Sequence, residues 1–218
     1  MTIHTLASGS EGNCLLLSDG GVHLLLDAGI STRRIKAGLL QLGLTMADVD
    51  GVLITHEHSD HIKGLGVLAR KYGIPVYSTQ GTIQTMLEQN MLGKVDSSLF
   101  HTVAPDIRFE IGELAVLPFR VSHDAAEPVA YRFSCGEKSV AVATDLGYYD
   151  DYIVDHLRGL DAVLIESNHD INMLQVGSYP YYLKQRILGR KGHLSNDNAG
   201  RLLGEILNDR MKAVMLGH

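Results

Sequence analysis

The sequence predicts an α/β protein in which two β-sheets pack face to face with helices on their outer sides. Two observations predict it. Short strand-like runs joined by tight turns fill residues 3–26 and again residues 114–143, and each of these meanders is followed by alternating strand and helix patterns. The order is therefore β-rich, βα, β-rich, βα, and two packed sheets with helices outside bury every apolar face that it creates. An alternating doubly wound sheet is the rival arrangement, but it leaves the two meanders unexplained.

Runs at 3–6, 15–17 and 22–26 read as strands, and Ser18-Asp19-Gly20-Gly21 reads as a hairpin connection. Ser31 is placed to cap a helix with Ile35, Leu39 and Leu42 on one face and Gly43 at its end. Residues 51–54 are apolar throughout and short enough for a buried strand. Ile62, Leu65, Leu68, Ala69 and Tyr72 repeat at helical spacing until Gly73 and Pro75 stop them. A strand at 74–77 and a helix at 82–92 follow. Strands are expected at 114–119, 129–133, 139–143 and 161–165, with Cys135-Gly136-Glu137-Lys138 as a turn. Helices at 181–188 and 196–207 and a last strand at 213–216 complete the chain.

The length of 218 residues fits one domain, residues 1–218, with a core that needs no disulfide to hold it. Hydrophobic residues at 45% and charged residues at 20% exclude disordered and collagen-like classes. No apolar run approaches the roughly 20 residues of a membrane span, and the first residues lack a signal-peptide pattern, so a cytoplasmic location is expected. Cys14 and Cys135 each sit beside a strand-like run and read as two buried thiols. A net charge of −6 argues against a surface coated for nucleic acid, although it leaves local patches open.

Eleven histidines without a tag-like run direct attention to metal spacing. The informative segment is Thr55-His56-Glu57-His58-Ser59-Asp60-His61. Alternation along an extended chain puts His56 and His58 on one side, where they can hold one cation. Asp60 and His61 fall at the turn into a helix, where they can face a second cation about 3.5–4 Å from the first. Random ordering of this composition produces His-x-His-x-Asp-His about once in 500 such chains. A solvated polar turn is the bland alternative.

The segment resembles the metal-binding signature of the metallo-β-lactamase superfamily, whose fold is a four-layer αββα sandwich. The resemblance implies further ligands at later strand ends. His123 follows one strand-like run, Asp145 another, and His218 the last. It implies two divalent ions, with His56, His58 and His123 on the first, Asp60, His61 and His218 on the second, and Asp145 bridging. Zinc, manganese or iron suits imidazole and carboxylate ligands. His58 stands where di-iron oxygen-reducing members carry a carboxylate, which lowers the redox reading. Water shared by two such ions loses a proton near neutral pH, so a bridging hydroxide is the expected nucleophile, oriented by Asp60.

Two later segments bear on the substrate. Glu166 ends a strand-like run, and His193 lies in Gly192-His193-Leu194-Ser195-Asn196 before a helix. They resemble the Glu and His of phosphodiesterase-type members such as RNase Z, where the histidine acts on the scissile phosphate or leaving group. A helix-start histidine beside capping residues is the alternative. Lys184, Arg186, Arg190 and Lys191 precede His193, and residues 171–196 contain no Asp or Glu. Such a basic stretch contacts backbone phosphates or else forms a solvated helix face. Ser195, Asn196, Arg190 and Lys191 are the expected substrate contacts. Tyr179, Tyr181 and Tyr182 either stack on bases or join the core.

Together with Ala7-Ser8-Gly9-Ser10-Glu11-Gly12-Asn13-Cys14, these segments are most similar to the YycJ/WalJ-type bacterial members of the superfamily, over essentially the whole chain. That resemblance implies a metal-dependent 5′→3′ exonuclease on duplex DNA, linked to mismatch repair, with catalytic roles for Asp60, Glu166 and His193. The alternatives are a hydrolase of a lactone, thioester or β-lactam, and a module in which metal only holds the fold. The chain stops at His218 where similar proteins continue, so a fragment, or a second site closed by a frayed terminal residue, is expected. Ser8 and Asn13 are expected to shape the pocket. His4, His23, His101 and His156 read as surface or satisfied core residues, and His169 as a loop residue.

Overall fold

The computed structural model describes residues 1–217. The first half forms one six-stranded sheet in the order β1 (Thr2–Ala7), β2 (Cys14–Asp19), β3 (Val22–Leu26), β4 (Gly51–Leu53), β5 (Val76–Thr79) and β6 (Phe100–Val103). Its first three strands are an antiparallel meander, and β3 to β6 run parallel. The second sheet holds β7 (Phe109–Ile111), β8 (Leu114–Arg120), β9 (Val129–Cys135), β10 (Lys138–Ala143), β11 (Ala162–Glu166) and β12 (Ala213–Gly217), again in chain order. Strands β7 to β10 are antiparallel neighbours, and β10 to β12 are parallel. Parallel pairs need crossover helices, and these supply the outer layers.

Strand periodicity explains why three cores form. Leu15, Leu17, Leu24, Leu26 and Leu53 face Val116, Tyr131, Phe133, Val140 and Val142 across the gap between the sheets. Leu16, Leu25, Val52 and Val76 point the other way, against Ile35 and Leu39 of α1 (Thr32–Gln41), Leu65 and Leu68 of α3 (Leu65–Tyr72) and Met86 of α4 (Gln80–Glu88). The short α2 (Ser59–Ile62) precedes α3. On the far side, Ala141, Ala143, Val163 and Ile165 pack on Val154 and Leu157 of α5 (Asp151–Leu157) and on Leu202 and Ile206 of α8 (Asn196–Ile206). Between β11 and β12 the chain also forms α6 (Ile171–Val176) and α7 (Tyr181–Leu188). The result is the four-layer αββα sandwich that the sequence predicts.

The two sheets are tied where the site forms. Tyr131 donates its buried hydroxyl to the Ile54 carbonyl at 2.9 Å, and Val129 N donates to Thr55 O at 3.1 Å.

Four elements were not expected from the sequence: β6, β7, α5 and α6. Each is short, and the two helices are too brief for their spacing to stand out from that of a loop. The helix expected from 62 to 72 starts at Leu65 as α3, and the preceding α2 takes in residues 59–61, where a turn was expected; between the two helices Gly64 donates its N–H to the Ala28 carbonyl. The helix expected at 82–92 starts at Gln80 and ends at Glu88, before Asn90 turns the chain with a φ of 50°. Cys14 is buried as expected, whereas Cys135 is only half-buried beside the chain's amino terminus; both are free thiols. No helix among the described residues is long and apolar enough to cross a membrane.

Candidate metal centre and active site

The carboxyl ends of the strands converge on one edge of the sandwich, the usual place for a site in an open α/β sheet. Asp27 follows β3, His56 follows β4, His123 follows β8, Asp145 follows β10 and Glu166 ends β11. His56, His58 and His123 present nitrogens that lie within 4.8 Å of one another, and so do the ligand atoms of His56, His61 and Asp145. Glu57 points the opposite way, accepting Ala126 N at 2.8 Å, as strand alternation requires.

Hydrogen bonds fix which nitrogen of each imidazole faces the centre. Thr55 Oγ1 donates to Asp27 and accepts from His56 Nδ1 at 2.9 Å, so His56 Nε2 carries a lone pair inward. His61 Nδ1 donates to Asp27 Oδ2 at 2.8 Å, which turns its Nε2 inward. His123 Nδ1 donates to the Gly192 carbonyl at 3.0 Å, and His58 Nε2 donates to the Asp124 carbonyl at 3.2 Å. The remaining nitrogens, His123 Nε2 and His58 Nδ1, face each other at 3.3 Å with two lone pairs and no proton between them. Among the described residues, His56 Nε2 and Asp145 Oδ2 are buried without a hydrogen-bond partner, although His61 Nε2 lies 3.3 Å from Asp145 Oδ2. Buried polar atoms left unpaired cost free energy, and a cation among them removes that cost. The donor set therefore fits a metal: three imidazoles on one side, and His61, Asp145 and Asp60 on the other. Asp60 Oδ2 lies 3.5 Å from His61 Nε2. His218 lies outside the described residues.

The electrostatics agree. Burial, reinforced by neighbouring imidazoles, holds His56 well below the usual histidine range, and burial brings His123 down to about 4. Both are thus neutral and able to ligate. Burial pushes Asp145 up to about 6, against the pull of His61. Burial also acts to lower His61, but the charges of Asp27 and Asp145 outweigh it and raise that group well above its ordinary value. Without a cation, carboxylates and imidazoles here share protons that a metal would displace.

His193 also lies near Asp145, with Nδ1 3.7 Å from Oδ1. That nitrogen is already committed, donating to Glu166 Oε1 at 2.6 Å. Glu166 is fully buried and also accepts Leu146 N, Leu194 N and Asn168 Nδ2. Burial lowers His193, yet the hydrogen bond and charge of Glu166 prevail and raise it. An imidazole whose proton is retained by a fixed carboxylate, with its Nδ1 already committed, suits proton donation better than ligation.

A cavity of about 210 Å³ opens over the cluster, lined by His58, Asp60, His123, Asp145 and His193 together with Asn13 and Arg186. The expected substrate contacts are placed elsewhere. Ser195 is buried and caps α8 by accepting Asn198 N, and Asn196 accepts from Ser167 Oγ at 2.8 Å. Arg190 stacks on Tyr148 at 3.8 Å, and Lys191 is exposed. Arg186, from the same basic stretch, is the one that reaches the cavity, and it pairs with Asp124 at 2.6 Å.

Asp27 and Asp124 had no assigned role in the sequence reading, and Arg186 entered it only as part of the basic stretch. Asp27 carried a usable signal, being a carboxylate directly after a buried strand, like Asp145 and Glu166. Asn13 does shape the pocket: its amide nitrogen lies 3.1 Å from His61 Nε2 and 3.4 Å from Asp60 Oδ2. His4, His23, His101 and His156 are satisfied or exposed, as the sequence suggests. His23 bonds Ser18 at 2.8 Å, His156 stacks on Phe119, His101 stacks on Tyr77 and His4 is exposed.

A family model described as the β-lactamase superfamily domain matches residues 23–216. The chain belongs to the β-lactamase superfamily. It is 45% identical over 213 residues to exodeoxyribonuclease WalJ of Streptococcus pneumoniae, covering 98% of this chain and 79% of that relative. Identity to exodeoxyribonuclease YycJ of Bacillus anthracis is 42% over 215 residues, covering 98% and 80%. Zn²⁺-bound PqqB of Methylobacterium extorquens shares the fold at a TM-score of 0.73 and 20% identity, covering 98% of this chain and 88% of that one. This superfamily member is accordingly a hydrolase.

Proposed function

We propose that this superfamily member is a metal-dependent exodeoxyribonuclease that removes nucleotides from the 5′ end of duplex DNA. We assign it two divalent ions, zinc or manganese, a cytoplasmic location and a place in mismatch repair. The observation that carries the phosphodiesterase reading is the His193–Glu166 pair, set 2.6 Å apart beside the histidine cluster. The alkoxide that leaves a phosphodiester needs a proton, and this pair is built to supply one. The exodeoxyribonuclease names of relatives 42–45% identical support DNA as the polymer.

His56, His58 and His123 would hold one ion, and Asp60, His61 and Asp145 would hold the other with His218. Bound there, divalent ions supply an activated water and polarise the phosphorus. The chain's own residues do the rest. Arg186 contacts a phosphate oxygen and fixes the backbone over the cluster. Glu166 keeps the Nδ1 proton of His193 and so orients the ring. His193 gives the Nε2 proton to the leaving O3′ as the bond to phosphorus breaks. Asn13 holds Asp60 and His61 in register.

The test is hydrolysis by metal-loaded protein of end-labelled duplex DNA, matched RNA, and a panel of lactone, thioester and β-lactam substrates. Nucleotide release from the 5′ end of DNA is expected. Turnover confined to the small esters and lactams, or to RNA, would overturn the proposal.

A further inference from the structure

A second cavity, of about 370 Å³, adjoins the catalytic one and shares Ser10, Arg186 and His193 with it. Its volume falls in the range of small-molecule sites. Its walls are Leu174 of α6, Leu183 and Ile187 of α7, and Tyr179 from the turn between those helices. Helix α7 has no buried residue, so Leu183 and Ile187 serve this cavity and not a core. The tyrosine of that turn is 56% exposed, which settles against its being a core residue.

Asn168 and His169 line the same space beside these apolar side chains. His169 Nδ1 faces the Asn168 amide oxygen at 3.3 Å, while Asn168 Nδ2 is directed to Glu166 at 3.3 Å. His169 Nε2 is buried and has no hydrogen-bond partner among the described residues. The backbone around it is fixed: Asn196 N donates to His169 O at 2.9 Å, and Asp170 caps α6. An acceptor nitrogen without a donor, on a residue that lines a cavity with aliphatic side chains and a tyrosine, suits a ligand with an apolar body and a hydrogen-bond donor. A nucleobase, a flat ring with apolar faces and N–H groups on its edge, has both.

We infer that this cavity is a nucleobase subsite for the terminal nucleotide, the one that carries the leaving O3′. The inference rests on the nuclease reading above. His193 lies between the two cavities, so the nucleoside whose O3′ it protonates is the one nearest this space. Tyr179 stacks on the base, Leu183 and Ile187 enclose its other side, and His169 Nε2 accepts from its edge. Filling the subsite holds the strand end, and not an internal stretch of duplex, over the catalytic cluster.

The experiment compares the rate of 5′-nucleotide release, as kcat/KM, from duplexes with a natural terminal nucleotide and with an abasic one. It is run on wild type, Tyr179→Ala and His169→Ala, beside hydrolysis of bis(p-nitrophenyl) phosphate by wild type. Wild type is expected to favour the natural end by about tenfold, the size of one base-stacking contact. That ratio is expected to fall to near one in Tyr179→Ala and to fall by several-fold in His169→Ala, which also serves if the first variant does not fold. Equal rates on both ends in wild type, or an unchanged ratio in the folded variants, would overturn the subsite while leaving the nuclease reading intact. Hydrolysis of the small phosphodiester without release of any nucleotide from DNA removes the nuclease reading and the subsite with it.

Discussion

Asp27 Oδ2 accepts the Nδ1 proton of His61 at 2.8 Å, and this contact decides which nitrogen of His61 faces Asp60 and Asp145. Asp27 stands just past β3 with a φ of 61°, an uncommon conformation for a residue with a side chain. It also accepts Thr55 N and Oγ1. One carboxylate thus orients His61 directly and His56 through Thr55.

Asp27→Asn is expected to weaken metal binding by about ten- to a hundredfold, the usual cost of losing an orienting partner behind a ligand. Titration of the metal-free protein with zinc or manganese, followed by calorimetry, checks this. Unchanged affinity would mean that Asp27 is only a structural acceptor.

Gly29, in the loop between β3 and α1, packs where the amino-terminal loop meets α2. A Cβ there would run into the Asp60 carbonyl and Asn13 N, which are themselves hydrogen-bonded at 2.7 Å. Gly29→Ala is expected to cost about 1–3 kcal/mol of stability, as overpacking does, and to lower metal occupancy by moving Asp60. Thermal unfolding and metal analysis measure both.

The His193–Glu166 pair sets the alkaline limb of the pH profile. His193 is raised above its ordinary value of 6.5, so it keeps its proton to higher pH than a free imidazole and loses it as pH rises further. Activity that depends on that proton is present below the limb and lost above it. His193→Ala is expected to lower kcat by about 10²–10⁴-fold and remove this limb. Glu166→Gln takes away the charge that raises His193, so the limb shifts toward acid. A limb unmoved in Glu166→Gln would contradict the assignment.

Metal affinity should have the opposite dependence. Asp145 is raised to about 6 and His61 lies well above its ordinary range, so both carry protons in acid that a metal must displace. Affinity is expected to fall as pH drops through about 6, by roughly a factor of ten per unit for each displaced proton. Calorimetry in buffers of different ionisation heat counts those protons. Affinity flat between pH 7 and 5 would contradict this picture.

Much of this site was legible in the sequence because its chemistry is local. His56, His58, Asp60 and His61 occupy one strand-to-helix turn, and period-two alternation alone puts His56 and His58 on one side. His123, Asp145 and Glu166 were found as polar residues directly after apolar strands, and the same rule would have found Asp27. The supporting contacts are different in kind. Asp27 meets His61 across 34 positions and Asp124 meets Arg186 across 62, so no spacing rule reaches them. Arg186 rather than Arg190 lines the cavity because α7 turns one side of the basic stretch inward while Tyr148 holds Arg190 outside. The short β6, β7, α5 and α6 were missed because each depends on neighbours for its stability and not on its own pattern.

The central claim is that the histidine cluster over the strand ends is the catalytic centre of a metal-dependent DNA exonuclease. Its most direct test is nucleotide release from 5′-end-labelled duplex DNA with added manganese, comparing wild type with His58→Ala. The His58 side chain is 27% exposed, so its removal is expected to leave the fold intact, as circular dichroism would verify. The account predicts metal-dependent release of nucleotides by wild type and its loss in the folded variant. A His58→Ala protein that binds its metal in full and degrades DNA at the wild-type rate would contradict it.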